Sequence, residues 1–211
     1  MNLTRLRVNH RVAPLGIDGV PEFSWQMESD IPNTMQTAYR IVVRAAEKEV
    51  WDSGRVESWK QTFVLYEGAP LESCTRYTWC VSAWDNHGNS ATTEASFETA
   101  FLDSGKWQAQ WIESSILRPE NPEYRPGNQP PAVRFAKEFC VQRKIKSARL
   151  YATAFGVYRP ELNGQRIDDR EFAPEYTAYE KLHYYQTYDV TALLQSGENL
   201  LTISVADGWY L

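Results

Sequence analysis

The feature that most constrains the fold of this chain is a strict alternation of residue types along residues 76–84, RYTWCVSAW. Tyr77, Trp79 and Val81 fall on one side of this segment, and Thr78 and Ser82 fall on the other. Side chains of a β-strand alternate between two faces, whereas those of an α-helix repeat roughly every 3.6 residues. The segment therefore predicts a long strand with one face in a hydrophobic core.

Similar short runs recur along the chain, separated by turn residues at intervals of roughly 8–12 residues, as is typical of β-sandwiches. The Asn163-Gly164 pair predicts a tight hairpin, and residues 197–199 predict a further turn. Residues 191–194 predict a single helical turn with Thr191 as its cap. The other predicted strands are residues 38–43, 62–66, 95–99, 133–139, 147–154, 156–162, 165–167, 184–190 and 200–205. The predicted fold class is all-β.

The first hundred residues hold about seven strand-like segments, the number in an immunoglobulin-like or fibronectin type III sandwich. Trp25 follows Pro21 in an early strand and is predicted to lie in the core. Leu71 and Tyr77, six residues apart at the start of the long strand, predict a tyrosine corner.

A change of pattern predicts a domain boundary. Residues 103–111 break the alternation, and residues 113–131 hold five of the chain's 11 prolines, Pro119, Pro122, Pro126, Pro130 and Pro131. We therefore expect a fibronectin-like domain at 1–102, a linker or loop excursion at 103–131 and a jelly-roll sandwich at 132–211. A jelly roll of eight strands usually needs more than about 80 residues, so we expect the second domain to be incomplete at its C-terminus.

Charge and hydropathy exclude several classes of function. The net charge of −5 is spread along the chain without a basic patch, so nucleic acid is not an expected partner. No apolar run of about 18 residues predicts a membrane span, and the N-terminus has no signal-peptide pattern. We therefore expect a cytoplasmic protein. Its three cysteines, Cys74, Cys80 and Cys140, are interpreted as reduced thiols, preferably as small buried apolar residues.

A search for chemical motifs nominates no catalytic residue. The sequence has no phosphate-binding loop, no HExxH zinc motif and no CxxC pair, and its three histidines lie far apart. Asp168 and Asp169 are followed by Glu171 and Glu175 after the Asn-Gly turn. A solvated loop is the favoured interpretation, and a Ca²⁺ site formed by Asp168 and Asp169 is the alternative. A glycosidase acid–base pair is less favoured, because it requires a preorganised cleft.

Tyrosines are concentrated in one stretch, residues 176–188, which contains Tyr176, Tyr179, Tyr184, Tyr185 and Tyr188. Aromatic rings stack on the apolar faces of sugars, and their polar ends can bond sugar hydroxyls. Packing in a core or against another domain is the favoured alternative. Trp209 and Tyr210 near the end of the chain carry the same ambiguity.

Taken together, the motifs resemble the N-terminal region of the bacterial α-L-rhamnosidases of glycoside hydrolase family 78. In the second half the motifs are ARLYATAFGVY at 148–158, Leu162-Asn163-Gly164, Pro174-x-Tyr176-Thr177-x-Tyr179, Tyr188-Asp189-Val190-Thr191, Leu193-Leu194, Gly197-x-Asn199 and Asp207-Gly208-Trp209-Tyr210. In the first half they are Pro21-x-x-Ser24-Trp25, Gln36-x-Ala38-Tyr39-Arg40-Ile41, Trp51-Asp52-Ser53-Gly54, Tyr77-x-Trp79 and Trp84-Asp85.

The resemblance implies a fibronectin-like domain followed by a jelly roll, ahead of an (α/α)6 barrel that hydrolyses terminal α-L-rhamnose with inversion. That barrel is not in these 211 residues, so no catalytic residue is carried over. Some members of the family bind rhamnose through the jelly roll with Ca²⁺, a site that the resemblance places loosely around Asn163 and the acidic loop. The candidate carbohydrate-binding residues are Asn163, Tyr176, Tyr179 and Trp209.

Three interpretations follow for the chain itself. It is the accessory, non-catalytic front of an α-L-rhamnosidase, a carbohydrate-binding module for rhamnose-containing glycosides, or a purely structural scaffold that packs against the catalytic domain of the same polypeptide. No cofactor is required in any of them, and Ca²⁺ enters only in the second.

Overall fold

The computed structural model describes residues 1–114 and 132–209 of the chain, so the five prolines of the predicted excursion and Tyr210 lie outside the described residues. The described part is built from antiparallel β-sheets, and the predicted all-β class is confirmed. It divides into two compact units, unit 1 at Met1–Gln108 and unit 2 at Ala109–Leu211. None of its helices has the length and apolar character needed to cross a membrane.

Unit 1 is an immunoglobulin-like sandwich of eight described strands. Its first sheet has the order β1-β2-β6, and its second has the order β4-β3-β7-β8 with β5 paired to β3. The strands are β1 Asn2–Val8, β2 Glu22–Glu28, β3 Gln36–Ala45, β4 Lys48–Asp52, β5 Val56–Glu57, β6 Val64–Leu65, β7 Arg76–Asp85 and β8 Ser90–Glu98. The alternating segment forms most of β7, and Tyr77, Trp79 and Val81 are buried as predicted.

Two buried polar contacts join the elements of unit 1. The Tyr77 hydroxyl accepts a hydrogen bond from the backbone N–H of Glu72 at 2.8 Å, which confirms the tyrosine corner. The Trp25 indole N–H donates to Gln36 Oε1 at 2.9 Å, and the Gln36 amide donates to the carbonyls of Ser58 and Lys60. The polar atoms of the buried Trp25 and Gln36 side chains are therefore hydrogen-bonded.

Unit 2 has one sheet of order β12-β11-β14-β9 and a second of β10 paired with β13. The strands are β9 Val133–Val141, β10 Arg149–Ala152, β11 Val157–Leu162, β12 Gln165–Arg166, β13 Gln186–Asp189 and β14 Gly197–Ala206. Asn163 and Gly164 both have positive φ, 53° and 77°, and form the predicted hairpin between β11 and β12. The buried hydrophobic cluster of this unit combines three alanines and Val190 with the larger Tyr158, Leu162 and Tyr188.

Three local predictions are wrong. Cys74 and Cys140 are exposed thiols, because Cys74 lies in a turn with φ 52° and Cys140 points outward from β9. Thr191 does not cap the 3-10 turn Thr191–Leu193: Val190 is the cap, and the Thr191 hydroxyl accepts from the N–H of Ala148 at 2.9 Å instead.

The third error concerns residues 197–199, which begin strand β14. They pair with the end of β9, so they do not form a turn of their own. Pairing with a neighbouring strand overrides the local preference of Gly197 for a turn, because each added residue gains ladder hydrogen bonds.

Candidate functional site

The most exposed aromatic cluster of unit 2 joins two of the predicted carbohydrate-binding residues. Tyr176 and Trp209 are 70% and 47% exposed, and their ring centroids lie 6.0 Å apart at an interplanar angle of 68°. Phe172, 65% exposed, also contacts Trp209, with ring centroids 5.8 Å apart at an interplanar angle of 54°. We call Phe172, Tyr176 and Trp209 the aromatic triad.

The loop that carries Phe172 and Tyr176 is fixed from beneath by buried groups. The backbone N–H of Tyr158 on β11 donates to the carbonyl of Ala173 at 2.7 Å, and the Gln186 amide on β13 donates to the carbonyl of Pro174 at 3.2 Å. Ala173 and Pro174, joined by a cis peptide bond, are both buried. The backbone between the two exposed rings is therefore anchored to the sandwich.

Tyr158 and Gln186, which anchor this loop, also form a buried hydrogen-bonded cluster with Tyr188. The Tyr158 hydroxyl lies 2.8 Å from the carbonyl oxygen of Ala152, 2.8 Å from Gln186 Oε1 and 3.0 Å from the Tyr188 hydroxyl. Burial, and after it the contact with Tyr188, raises the pKa of Tyr158. Tyr158 is thus a neutral structural hydroxyl that does not ionise at physiological pH.

Glycine brings Trp209 to the same end of the sheet. Gly208 has φ 57°, and a Cβ there would lie 2.7 Å from Val157 Cγ1 and 3.0 Å from the Val157 nitrogen. Gly156 has φ 101°, and its Cβ would come within 2.2 Å of the carbonyl oxygen of Ala206. Only glycine permits this approach of the start of β11 to the end of β14, so Trp209 leaves the sheet beside Val157.

Tyr179 belongs to a second aromatic group. Its ring lies 5.2 Å from His183 and 6.2 Å from Phe155, and Trp111 stacks on Phe155 at 4.5 Å. Tyr179 is half-buried, and burial lowers the pKa of His183, which favours its neutral form. Tyr179 thus packs against Phe155 and His183.

The side chain of Asn163 is engaged inside unit 2. Its amide donates to the carbonyl of Leu193 and to Asn199 Oδ1, both at 2.9 Å, and its oxygen accepts from the N–H of Leu200 at 2.9 Å. Val157 and Leu162 are the two ends of β11, so Asn163 and the triad are separated by about 17 Å of strand. Sugar binding by Asn163 stays a prediction, and its contacts favour a structural role.

The two residues of the predicted calcium site, Asp168 and Asp169, have different surroundings. The carboxylate of Asp168 lies 3.3 Å from Arg170 Nε and accepts from the backbone N–H of Arg170, whereas Asp169 is exposed. Within residues 1–114 and 132–209, no group of three or more Asp, Glu, His or Cys side chains is close enough to hold a metal ion. Ca²⁺ takes about six to eight oxygen ligands, and the carboxylates of Asp168 and Asp169 alone supply only part of such a set. The metal assignment stays a prediction.

Sequence reasoning missed Phe172, Phe155 and Trp111 as surface aromatics. Phe172 carried one detectable signal, an isolated apolar residue in a charged loop that contains Arg170 and Glu171. Trp111 and Phe155 carried none, because alternation does not distinguish a core ring from an exposed ring.

Comparison with known proteins now bears on the two units. Residues 3–103 match the Rha78A-like, N-terminal immunoglobulin domain, and residues 143–211 match the alpha-L-rhamnosidase N-terminal domain. The chain belongs to the α-L-rhamnosidase family and corresponds to the N-terminal region of its members. The resemblance of the sequence motifs to that region is confirmed.

Relatives of this family match along nearly the whole chain. An alpha-L-rhamnosidase of Formosa agariphila is 30% identical over 233 residues, which cover 100% of this chain and 24% of the relative. The solved alpha-L-rhamnosidases from Dictyoglumus thermophilum and Aspergillus terreus match with TM-scores of 0.87 and 0.85 at 32% and 30% identity. Each match covers 99% of this chain and 25% or 24% of that structure. The chain spans about a quarter of the length of these relatives.

Proposed function

We propose that the chain forms the accessory N-terminal domains of an α-L-rhamnosidase, which hydrolyses terminal α-L-rhamnose from glycosides with inversion, and that the two units do not catalyse the reaction. The observation that carries the proposal is the match of two N-terminal family models in succession. The catalytic partner is then another domain of the same polypeptide, and rhamnose-containing glycosides are its substrates.

The chemistry of inversion supports a division of labour between domains. It requires one carboxyl as general acid and a second, roughly 6.5–9.5 Å away, that activates water. A general acid of this kind is held in an apolar, desolvated site. Unit 2 instead pairs several carboxylates with arginine at its surface: Glu161 with Arg134, Asp168 with Arg170 and Glu171 with Arg166.

Release of p-nitrophenol from p-nitrophenyl α-L-rhamnopyranoside tests the proposal. We expect the natural full-length protein to release p-nitrophenol and to give the opposite anomer of rhamnose as the first product seen by NMR. We expect the 211-residue chain to release no more p-nitrophenol than a mock purification does. Turnover by the chain alone would show that it carries its own active site. Absence of release by the full-length protein would contradict the rhamnosidase assignment.

A second candidate function for unit 2 is carbohydrate binding, which the exposure of Tyr176 and Trp209 favours. In this candidate function, sugar binding would require Ca²⁺ at Asp168 and Asp169. The ion pair of Asp168 with Arg170 does not favour that requirement. A sugar titration with and without EDTA separates Ca²⁺-dependent binding from Ca²⁺-independent binding. Loss of sugar binding in EDTA would support a Ca²⁺ site at Asp168 and Asp169. A cytoplasmic location stays a prediction.

A further inference from the structure

We propose that Trp111, Phe155, Tyr179 and His183 form a pH-sensitive latch, in which the neutral imidazole of His183 holds Trp111 on unit 2 and the protonated imidazole releases it. We call these four residues the histidine latch. The latch sets the position of the segment with which unit 2 begins. It requires neither catalysis nor a ligand, so it is independent of the function proposed above.

The imidazole of His183 is packed among three aromatic rings. Its centroid lies 4.6 Å from that of Phe155, 5.2 Å from that of Tyr179 and 5.5 Å from that of Trp111. Trp111 also stacks on Phe155, with ring centroids 4.5 Å apart at an interplanar angle of 29°. Trp111 therefore rests on Phe155 and His183 together, and a change at the imidazole acts directly on its packing.

The polar atoms of the imidazole are placed for the neutral form. Both ring nitrogens of His183 are buried, and neither makes a hydrogen bond of normal geometry among the described residues. A neutral imidazole has one N–H donor, whereas the protonated ring has two and carries a full charge. Because the loss of hydration of an unpaired charge exceeds the attraction of aromatic faces for a cation, this environment favours the neutral ring.

The groups around His183 leave burial as the main influence on its protonation. Burial lowers the pKa of His183 from its ordinary value of 6.5, and the backbone of Ala154 opposes this shift with a smaller effect. Charged or titratable side chains also occur on the segments that carry Trp111 and Tyr179: they are Glu113, Tyr179, Glu180, Lys181 and Tyr184. Among the described residues, no charged side chain contributes to the pKa shift of His183.

Opening of the latch is expected to move Trp111 and to leave the other rings in place. The Thr153 hydroxyl donates to the carbonyl of Tyr184 at 2.6 Å, so the chain before Phe155 and the chain after His183 are joined without the imidazole. Trp111 is 62% exposed and lies outside the strands and helices. Its ring contacts are therefore the ones that protonation of His183 weakens most readily.

The lowered pKa fixes the direction of the pH dependence. The imidazole of the closed latch binds a proton more weakly than an exposed imidazole does. The closed latch therefore has its full stability above pH 6.5 and loses stability as the pH falls below that value.

Fluorine NMR of the chain labelled with 5-fluorotryptophan tests the proposal. The Trp111 resonance is assigned by its absence from Trp111→Phe. Between pH 7.5 and pH 5 we expect it to move towards the position of an exposed tryptophan, with a rise of about fivefold or more in the released population. His183→Phe keeps an aromatic ring that cannot be protonated, so it should hold Trp111 closed throughout. His87→Gln removes an exposed histidine of unit 1 and is the control, which should respond as the wild type does.

A second measurement follows the imidazole itself. The Cε1–H resonance of His183, assigned by its loss in His183→Phe, should titrate below pH 6.5. Titration above pH 6.5 would overturn the proposal, because it would show that the rings stabilise the charged form. A Trp111 resonance that stays constant with pH, or that moves equally in His183→Phe, would also overturn it. Circular dichroism at pH 5 establishes that the sandwiches remain folded, so that a change at Trp111 reports the latch.

Discussion

At the scale of single residues, Asp52 is held by an unusual number of donors for a surface carboxylate. Arg40 Nε donates to its Oδ1 at 2.9 Å, a second guanidinium nitrogen donates to Oδ2, and the N–H of Gly54 adds a bond at 2.9 Å. These donors stabilise the charged form. Hydrogen bonding by Arg40, above all, lowers the pKa of Asp52 from 3.8 to about 2.

A pH dependence follows from this shift. Because the pKa of Asp52 is lower in the folded chain, its stabilisation is present above pH 3.8 and is lost as the pH falls through about 2. We expect Asp52→Asn to reduce the loss of unfolding free energy between pH 4 and pH 2, measured by urea unfolding at several pH values. Glu57→Gln, which removes the carboxylate of an exposed pair with Arg55, is the control and should keep the wild-type profile. A wild-type slope in Asp52→Asn would contradict the prediction.

At the scale of elements, two asparagines join the β11–β12 hairpin to the turn that precedes β14. Asn199 is 3% exposed. Its oxygen accepts from Gln195 N–H and from the Asn163 amide, and its own amide donates to the carbonyls of Gln195 and Gly197. Removing either side chain leaves polar backbone groups without their partners.

Asn163→Ala tests whether this residue is structural or a sugar ligand. We expect it to lower the free energy of unfolding of unit 2 by about 2 kcal/mol, because three hydrogen bonds are lost and alanine tolerates φ 53° poorly. Affinity for methyl α-L-rhamnopyranoside should stay within about twofold of wild type.

The double variant Asn163→Ala/Asn199→Ala should be less destabilised than the sum of the single variants, because the two residues share one bond. Gln165→Ala, an exposed change on β12, is the control and should lie within about 0.5 kcal/mol of wild type. Loss of sugar affinity with unchanged stability in Asn163→Ala would assign Asn163 to binding.

At the scale of the whole molecule, the two units have separate hydrophobic clusters of different character. The unit 1 cluster includes large buried side chains such as Phe23, Trp79 and Phe97. Among the described residues, the cluster of unit 2 has fewer buried members, which are three alanines, Val190, Leu162, Tyr158 and Tyr188. Since burial of apolar area stabilises folding by about 25 cal/mol per Å², we expect unit 2 to be the less stable unit.

Calorimetric unfolding should therefore show two transitions. Leu162→Ala should lower the free energy of unfolding of unit 2, and Ile41→Ala that of unit 1, each by about 2–4 kcal/mol, because both side chains are at least 98% buried. The first transition should therefore shift in Leu162→Ala and the second in Ile41→Ala. Leu65→Ala, at a position 51% exposed, is the control and should change the free energy of unfolding of either unit by no more than about 0.5 kcal/mol. A single transition that shifts equally in both core variants would show that the units unfold together.

Alternation along single strands was enough to predict the all-β class and the buried face of β7, and the six-residue spacing of Leu71 and Tyr77 predicted the tyrosine corner. These features depend on neighbours in sequence, since the period of a strand and the reach of Tyr77 to Glu72 are local. The Asn163-Gly164 turn was predictable for the same reason, because its positive φ values suit those two residues.

Only the tertiary structure decided which residues meet at a site. Tyr176 and Trp209 are 33 positions apart in the numbering, and they meet because Gly156 and Gly208 allow β11 and β14 to approach closely. Asn163 turns inward to Asn199, 36 positions further along the chain. This contact has no sequence period, because it depends on where the loops of a folded sandwich come together. The sequence by itself determined the strands and the family, and packing between strands decided which predicted residues face solvent.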